Sequence, residues 1–242
     1  MKKSNLVFLD TETTGLSADG RLCQVAYEFK GEEFESLFKP PIPIEIEAMS
    51  VTHITNRMVA DKDSFKDSQM QKDLVEIFST DNVLVAHNAI YDADILRKDD
   101  VEVKMMIDTF KLAHHLDVEG EIPKYNLQYL RYYFDLEVKD ANAHDALGDI
   151  RVLEALFNHF FDQMMEKVSD EEKVLEEMVE VSSRPVLIKK FNFGKYNGEK
   201  IGDVARMDKG YLEWLLGAKI KARDEEGDND ENWIYTLEHY LK

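Results

Sequence analysis

The 242 residues carry 30 lysines and arginines against 49 aspartates and glutamates, a formal net charge of −19, and 44% of the chain is hydrophobic. This composition excludes a disordered or fibrous protein, supplies no apolar run near the roughly 20 residues of a membrane helix, and opposes indiscriminate binding to a polyanion. The single cysteine, Cys23, rules out an internal disulfide and a cysteine-rich zinc site, and reads as a buried thiol.

The start, MKKSNLVFLD, reaches an acidic residue too early for a signal peptide, so a cytoplasmic protein is expected. Leu6 to Leu9 is a short apolar run ending in Asp10. Cys23 to Phe29 and Phe34 to Phe38 follow with alternating character between turns, which predicts three strands of an antiparallel meander. Apolar spacing predicts a helix over Met70 to Phe78, a buried strand over Val83 to Ala86, and helices over Ile90 to Arg97, Phe110 to Leu116 and Leu127 to Phe134, an α/β pattern. The segment from Asp145 to Met165 is helical by period, its stripe of Ala146, Ile150, Leu153, Leu156, Phe157, Phe160 and Phe161 closing a first domain over residues 1–165. Residues 166–185 are acidic and read as a helical linker, broken at Ser182 to Pro185. Residues 186–242 form a small module, with strand-like Phe191 and Phe193, a turn at Asn197-Gly198, a helix bearing Tyr211, Trp214 and Leu215, and a last helix near Trp233 to Leu241. Phe191, Tyr196, Tyr211 and Trp214 read as the core of that module, with base stacking as the alternative.

Asp10 and Glu12 are two residues apart, so both side chains leave one face if the strand persists that far. Two close carboxylates repel unless a cation neutralises them, and Mg²⁺ or Mn²⁺ favours oxygen ligands. Read alone, the same tripeptide is a solvated turn rather than a ligand pair. In VLVAHNAIYDADILR, Asp92 and Asp94 on a helix diverge by roughly 200°, so only one can face a shared site. His144 and Asp149 diverge by about 140° on a continuous helix, which places His144 just ahead of the helix, Asp145 at its N-cap and Asp149 one turn inside.

DTETTGL, HNAIYD, and His144 followed by Asp149 after four residues resemble, in that order, the three motifs of the DEDDh exonuclease superfamily; AMSVTHITNRMV, IDTFKLA and YNLQYL look familial as well. The resemblance implies a ribonuclease H-like mixed sheet flanked by helices and a 3′-to-5′ exonuclease activity. It implies that Asp10, Glu12, Asp92 and Asp149 hold two divalent cations, Mg²⁺ or Mn²⁺. Asp10 would bridge them, Glu12 and Asp149 would complete the water-activating one, Asp92 would act through water, His144 would be the general base, and Asp94 would be a surface residue. Thr13, Gly15, Leu16, His53, Ile54 and Asn88 would wall the pocket of the terminal nucleotide, although Leu16 reads nearly as well as core. FNFGKYNGEKIGDVARMDKGYLEWLL and TLEHYL resemble the C-terminal module of the exodeoxyribonuclease X family, which implies a small α+β unit. The longer acidic linker and the insertion from Lys221 to Asn232 depart from it and leave the module's protein partner open. The expected partner is the 3′ end of single-stranded or frayed DNA, and no membrane. RNA trimming, polymerase proofreading and a silent nucleic-acid-binding scaffold are the alternatives.

Overall fold

The computed structural model describes residues 1–139, 146–227 and 230–242. They divide into two compact units, Met1–Phe110 with Asn126–Ser182, and Lys111–Tyr125 with Ser183–Lys242.

In the first unit, β1 (Leu6–Thr13), β2 (Leu22–Phe29), β3 (Glu32–Leu37), β4 (Val83–Ala86) and β5 (Met106–Asp108) form one sheet in the order β3-β2-β1-β4-β5. The expected meander is present: β1, β2 and β3 pair antiparallel, while β4 and β5 join parallel beyond β1. All four residues of β4 are buried, which is why its sequence is apolar throughout rather than alternating. Around the sheet run α1 (Ile46–Thr52), α2 (Asn56–Val59), α3 (Gln69–Ser79), α4 (Ala89–Arg97), the start of α5 (Thr109–Leu116), α6 (Leu127–Tyr133) and α7 (Ala146–Val168). Ser68 caps α3 by accepting from the Gln71 amide, and the helix buries Leu74 and Phe78 in a cluster with Val7, Leu9 and Leu84. The expected stripe on α7 is buried, with Phe157 edge-on to Phe8 at 5.4 Å.

The acidic stretch expected as a helical linker is helical, as α8 (Glu171–Ser182), but packs against β5 and α7. Its Val174, Leu175 and Met178 are fully buried while Glu171, Glu172 and Glu176 face outward, so abundant surface acids disguise a narrow apolar seam. Ser182 locks the end of α8, its Oγ accepting from the Asp108 amide at 2.8 Å.

The second unit gathers α9 (Ile201–Met207), α10 (Lys209–Lys221) and α11 (Glu231–Leu241) around Phe191, Ile201, Val204, Leu212, Leu215, Trp233 and Leu237. The strand expected at Phe191 and Phe193 reduces to one antiparallel bridge, Lys190 with Lys200, closed by the turn at Gly198 with φ 89°. Residues 111–125 belong to this unit. An ion pair of 2.6 Å joins Glu119 to Lys200, and a glycine is needed at 120 because φ is 66° and a Cβ would lie 2.6 Å from Lys189. Phe191 is core as expected, but Trp214 is 63% exposed and is not. Among the described residues no helix is long and apolar enough to cross a membrane.

Candidate active site

Strand β1 remains regular through Glu12, with Asp10 opposite Ala26 and Glu12 opposite Gln24 on β2, and the register breaks between Glu12 and Thr13. Both acids therefore leave one face of β1 near its C-terminal end. A third acid arrives from α4. Asn88 turns the chain out of β4 with φ 73°, its amide donating to Asp108 Oδ1 at 2.9 Å, and Asp92 falls in the first helical turn, only 4% exposed. Thr11 fixes Asp92 to β1, its amide and hydroxyl both donating to Asp92 Oδ1, at 3.0 and 2.7 Å. The fourth acid, Asp149, stands in the first turn of α7, where the Gln128 side chain from α6 donates to its Oδ1.

These carboxylates share one electrostatic field. Burial, then the charges of Asp92, Glu12 and Asp149, hold the Asp10 carboxyl well above its ordinary range. Burial and Asp149 push Glu12 up to about 7. Asp92 is also raised, by burial first, against the Thr11 hydrogen bonds that favour its ionised form, with Asp108 adding to the rise. The donor set is all oxygen: Cys23, the nearby sulfur, is buried and its thiol is pushed up to about 12 by burial and by Glu12. Carboxylates that repel one another in a partly buried site are what hard divalent cations neutralise, so the residues fit such a cofactor. Among the described residues no three His, Cys, Asp or Glu side chains converge tightly enough to enclose an ion. The acids face one another while Thr11 and Gln128 each retain an oxygen of one of them.

Asp94 is on the surface as expected, its side chain 52% exposed and paired with Arg97 at 2.6 Å. His144 and Asp145 lie outside the described residues. Of the expected pocket residues, Thr13 is buried with its hydroxyl spent on the Gly15 carbonyl at 3.1 Å and on Tyr91 Oη at 2.7 Å, so it shapes the loop from inside. A Cβ at Gly15 would lie 2.4 Å from Glu45 Oε2, so any side chain there would displace the Glu45 carboxylate. Leu16 is not core: it is 88% exposed, at the edge of a cavity of about 640 Å³ lined also by Tyr91, Ile95, Arg97 and Lys98. Lys98 Nζ donates to the Ala18 and Gly20 carbonyls at 2.8 Å each, clamping this loop to α4. Asn88 and His53 are exposed, His53 ending α1 with φ 59°. Ile54 is a correction: it is 4% exposed, in a cluster with Cys23, Ile44 and Val59, and its side chain cannot wall a pocket.

Sequence reasoning gave no role to Thr11, Gln128, Tyr91 or Asp108. Thr11 sits between the two acids and Gln128 within YNLQYL, so position hinted at both. Asp108, 1% exposed, also accepts from the Phe110 amide at 3.0 Å, which fixes the turn beside Asn88.

Residues 7–157 match the family model described as Exonuclease, and residues 191–219 match that described as Exodeoxyribonuclease X-like C-terminal. The chain is 30% identical over 242 residues to Exodeoxyribonuclease 10 of Escherichia coli strain K12, covering 98% of this chain and 99% of that one. It is 33% identical over 161 residues to the DNA polymerase III subunit epsilon of Treponema pallidum, covering 61% of this chain and 72% of that one. Among solved structures, Exonuclease X in complex with 5′ overhanging duplex DNA aligns with a TM-score of 0.56 at 27% identity, over 73% of this chain and 99% of that one. A zinc-bound E. coli ExoI–ssDNA complex shares the fold, with a TM-score of 0.55 at 18% identity, over 68% of this chain and 42% of that one.

Proposed function

We infer function from the premise that this chain belongs to the exonuclease family: it hydrolyses DNA from the 3′ end. The observation that carries the assignment of its site is the meeting of Asp10, Glu12, Asp92 and Asp149 from β1, α4 and α7, near enough that the charges of the others hold the Asp10 carboxyl above its ordinary range.

Those four side chains would hold two divalent cations, Mg²⁺ or Mn²⁺, which when bound neutralise phosphate charge and supply a hydroxide-like nucleophile at neutral pH. Thr11 and Gln128 orient two of the carboxylates, and on loading each would give up or share the oxygen it now engages. His144 takes the proton of the attacking water; an imidazole with its ordinary pKa near 6.5 is neutral at working pH. Exposed Leu16 and Asn88, with His53 and the backbone from Thr13 to Gly15, form the pocket that admits one strand end, in the cytoplasm.

DNA is favoured over RNA because the relative similar over 98% of this chain is an exodeoxyribonuclease, and the Exonuclease X structure holds DNA. A proofreading subunit is disfavoured because the epsilon subunit relative covers 61% of the chain, whereas the exodeoxyribonuclease similarity extends through the module. The test is Mg²⁺-dependent digestion of 5′-labelled single-stranded DNA, duplex DNA and RNA of one sequence. A ladder receding from the 3′ end is expected on DNA, faster than on RNA; degradation of RNA alone would sink the DNA assignment.

A further inference from the structure

The second unit leaves one large aromatic side chain, Trp214, outside its core, beside Tyr211, which packs partly against that core. On α10, Leu212 and Leu215 turn inward, while Trp214 points outward at 63% exposure and Met207, just before the helix, is 69% exposed. The positions one turn away from Trp214 are Gly210, Gly217 and Ala218, with Tyr211 the single large neighbour, its ring 5.6 Å from the indole. A Cβ at Gly217 would meet nothing within 4 Å, so packing does not demand glycine at a mid-helix position where it weakens a helix. What the glycines do is leave the faces of the indole uncovered.

The rings continue inward. Tyr211 lies 5.0 Å from Tyr196, and Lys195 Nζ sits 4.6 Å over the Tyr196 ring, with Asp208 paired to Lys195 and accepting from Tyr196 Oη. The charge of this stretch is opposite to that of the whole. Residues 184–221 carry nine lysines and arginines and four acids, in a chain of net charge −19. Asp203, Asp208, Asp230 and Glu119 balance Arg206, Lys195, Lys219 and Lys200, and Lys221 is loosely paired with Glu225 at 3.6 Å. Lys190 and the exposed Lys209 make no ion pair among the described residues, and Glu213 is the acid beside Trp214.

We propose that this face of α10, with Trp214 and Tyr211 as its rings and Lys221 as its cation, binds single-stranded DNA by stacking a base on the indole. Stacking tolerates any sequence because every base has a π-face, and local positive charge in an acidic protein draws the phosphate backbone to this patch. The proposal rests on the reading of the chain as a DNA exonuclease, and adds a contact for nucleotides other than the one being removed.

The molecule supplies its own probe, because the other tryptophan, Trp233, is 5% exposed. In the full chain, without divalent cation so that no strand is cut, a long oligo-dT strand should quench the indole emission, and Trp214→Phe should abolish most of that quenching. Binding followed by fluorescence anisotropy of a labelled strand should weaken at least about fivefold in Trp214→Ala and be largely retained in Trp214→Phe. With Mg²⁺, the ratio of kcat/KM on the long strand to that on a trinucleotide should fall in Trp214→Ala. Unchanged affinity and an unchanged ratio in Trp214→Ala would overturn the proposal, as would altered self-association with DNA affinity intact. Failure of the unaltered chain to degrade any DNA would instead overturn the reading beneath it.

Discussion

The chemistry of single residues here is set by burial more than by identity. Asp92 and Asp94 have the same side chain two positions apart, yet one is 4% exposed beneath Thr11 and the other is spent on Arg97 at the surface. Helical geometry made that split legible in the sequence, since two residues on α4 cannot face one site. The sequence did not reveal which hydroxyls and amides would hold the carboxylates, because Thr11 and Gln128 lie 81 and 21 residues from their partners. Raised carboxyl pKa values carry a sign for stability. Glu12 goes from an ordinary 4.5 to about 7, so the folded chain binds that proton more tightly than the unfolded chain. Its contribution is fully present below about 4.5 and is lost as pH rises through about 7. Without divalent cation, Tm should therefore fall across this window, and Glu12→Gln should flatten the slope. Adding Mg²⁺ or Mn²⁺ should raise Tm by several degrees at pH 8 and by less at pH 6, where protons occupy the carboxylates (~1 kcal/mol corresponds to roughly 2–4 °C for a domain of this size). Differential scanning calorimetry decides it; a cation effect larger at the lower pH would contradict the proposed ligand set.

At the level of elements, the strands and most helices were legible because period-two and period-3.6 patterns are strong in β1, β2, α3 and α7. The helix of α8 was expected, but its packing escaped, because acids dominate its composition while its seam of Val174, Leu175, Met178 and Val181 is narrow. Likewise residues 111–125 read as a passage between helices, although Glu119 and Gly120 tie them to the C-terminal unit through contacts about 70 to 80 residues away in sequence. Trp214 was misassigned because its neighbours Leu212 and Leu215 are core, and one residue of helical phase separates the inner stripe from the outer face. If α8 is part of the sheet unit, a chain ending at Val168 should unfold at markedly lower urea concentration than one ending at Ser182, having lost three fully buried apolar side chains worth ~1.5–3 kcal/mol each. Equal midpoints would show that α8 is the linker its composition first implied.

For the whole molecule, net charge was a poor guide. Its acids line outer helix faces and the proposed cation site, and a local excess of bases is confined to residues 184–221. On the reading proposed above, the sheet unit would supply the carboxylates and the module a stacking face for the rest of the strand. The order of the three motifs made the activity legible; the module's surface needed three dimensions. The most direct measurement is the Mg²⁺-dependent release of mononucleotides from the 3′ end of a labelled single strand by Asp10→Asn, Asp92→Asn, Asp149→Asn and Asp94→Asn, each first confirmed as folded. The first three should lose at least about a hundredfold in rate, the order of effect of removing one charge-stabilising group from an active site, with Asp94→Asn within a few-fold of the unaltered chain; full activity in Asp10→Asn, or loss confined to Asp94→Asn, would contradict the site described.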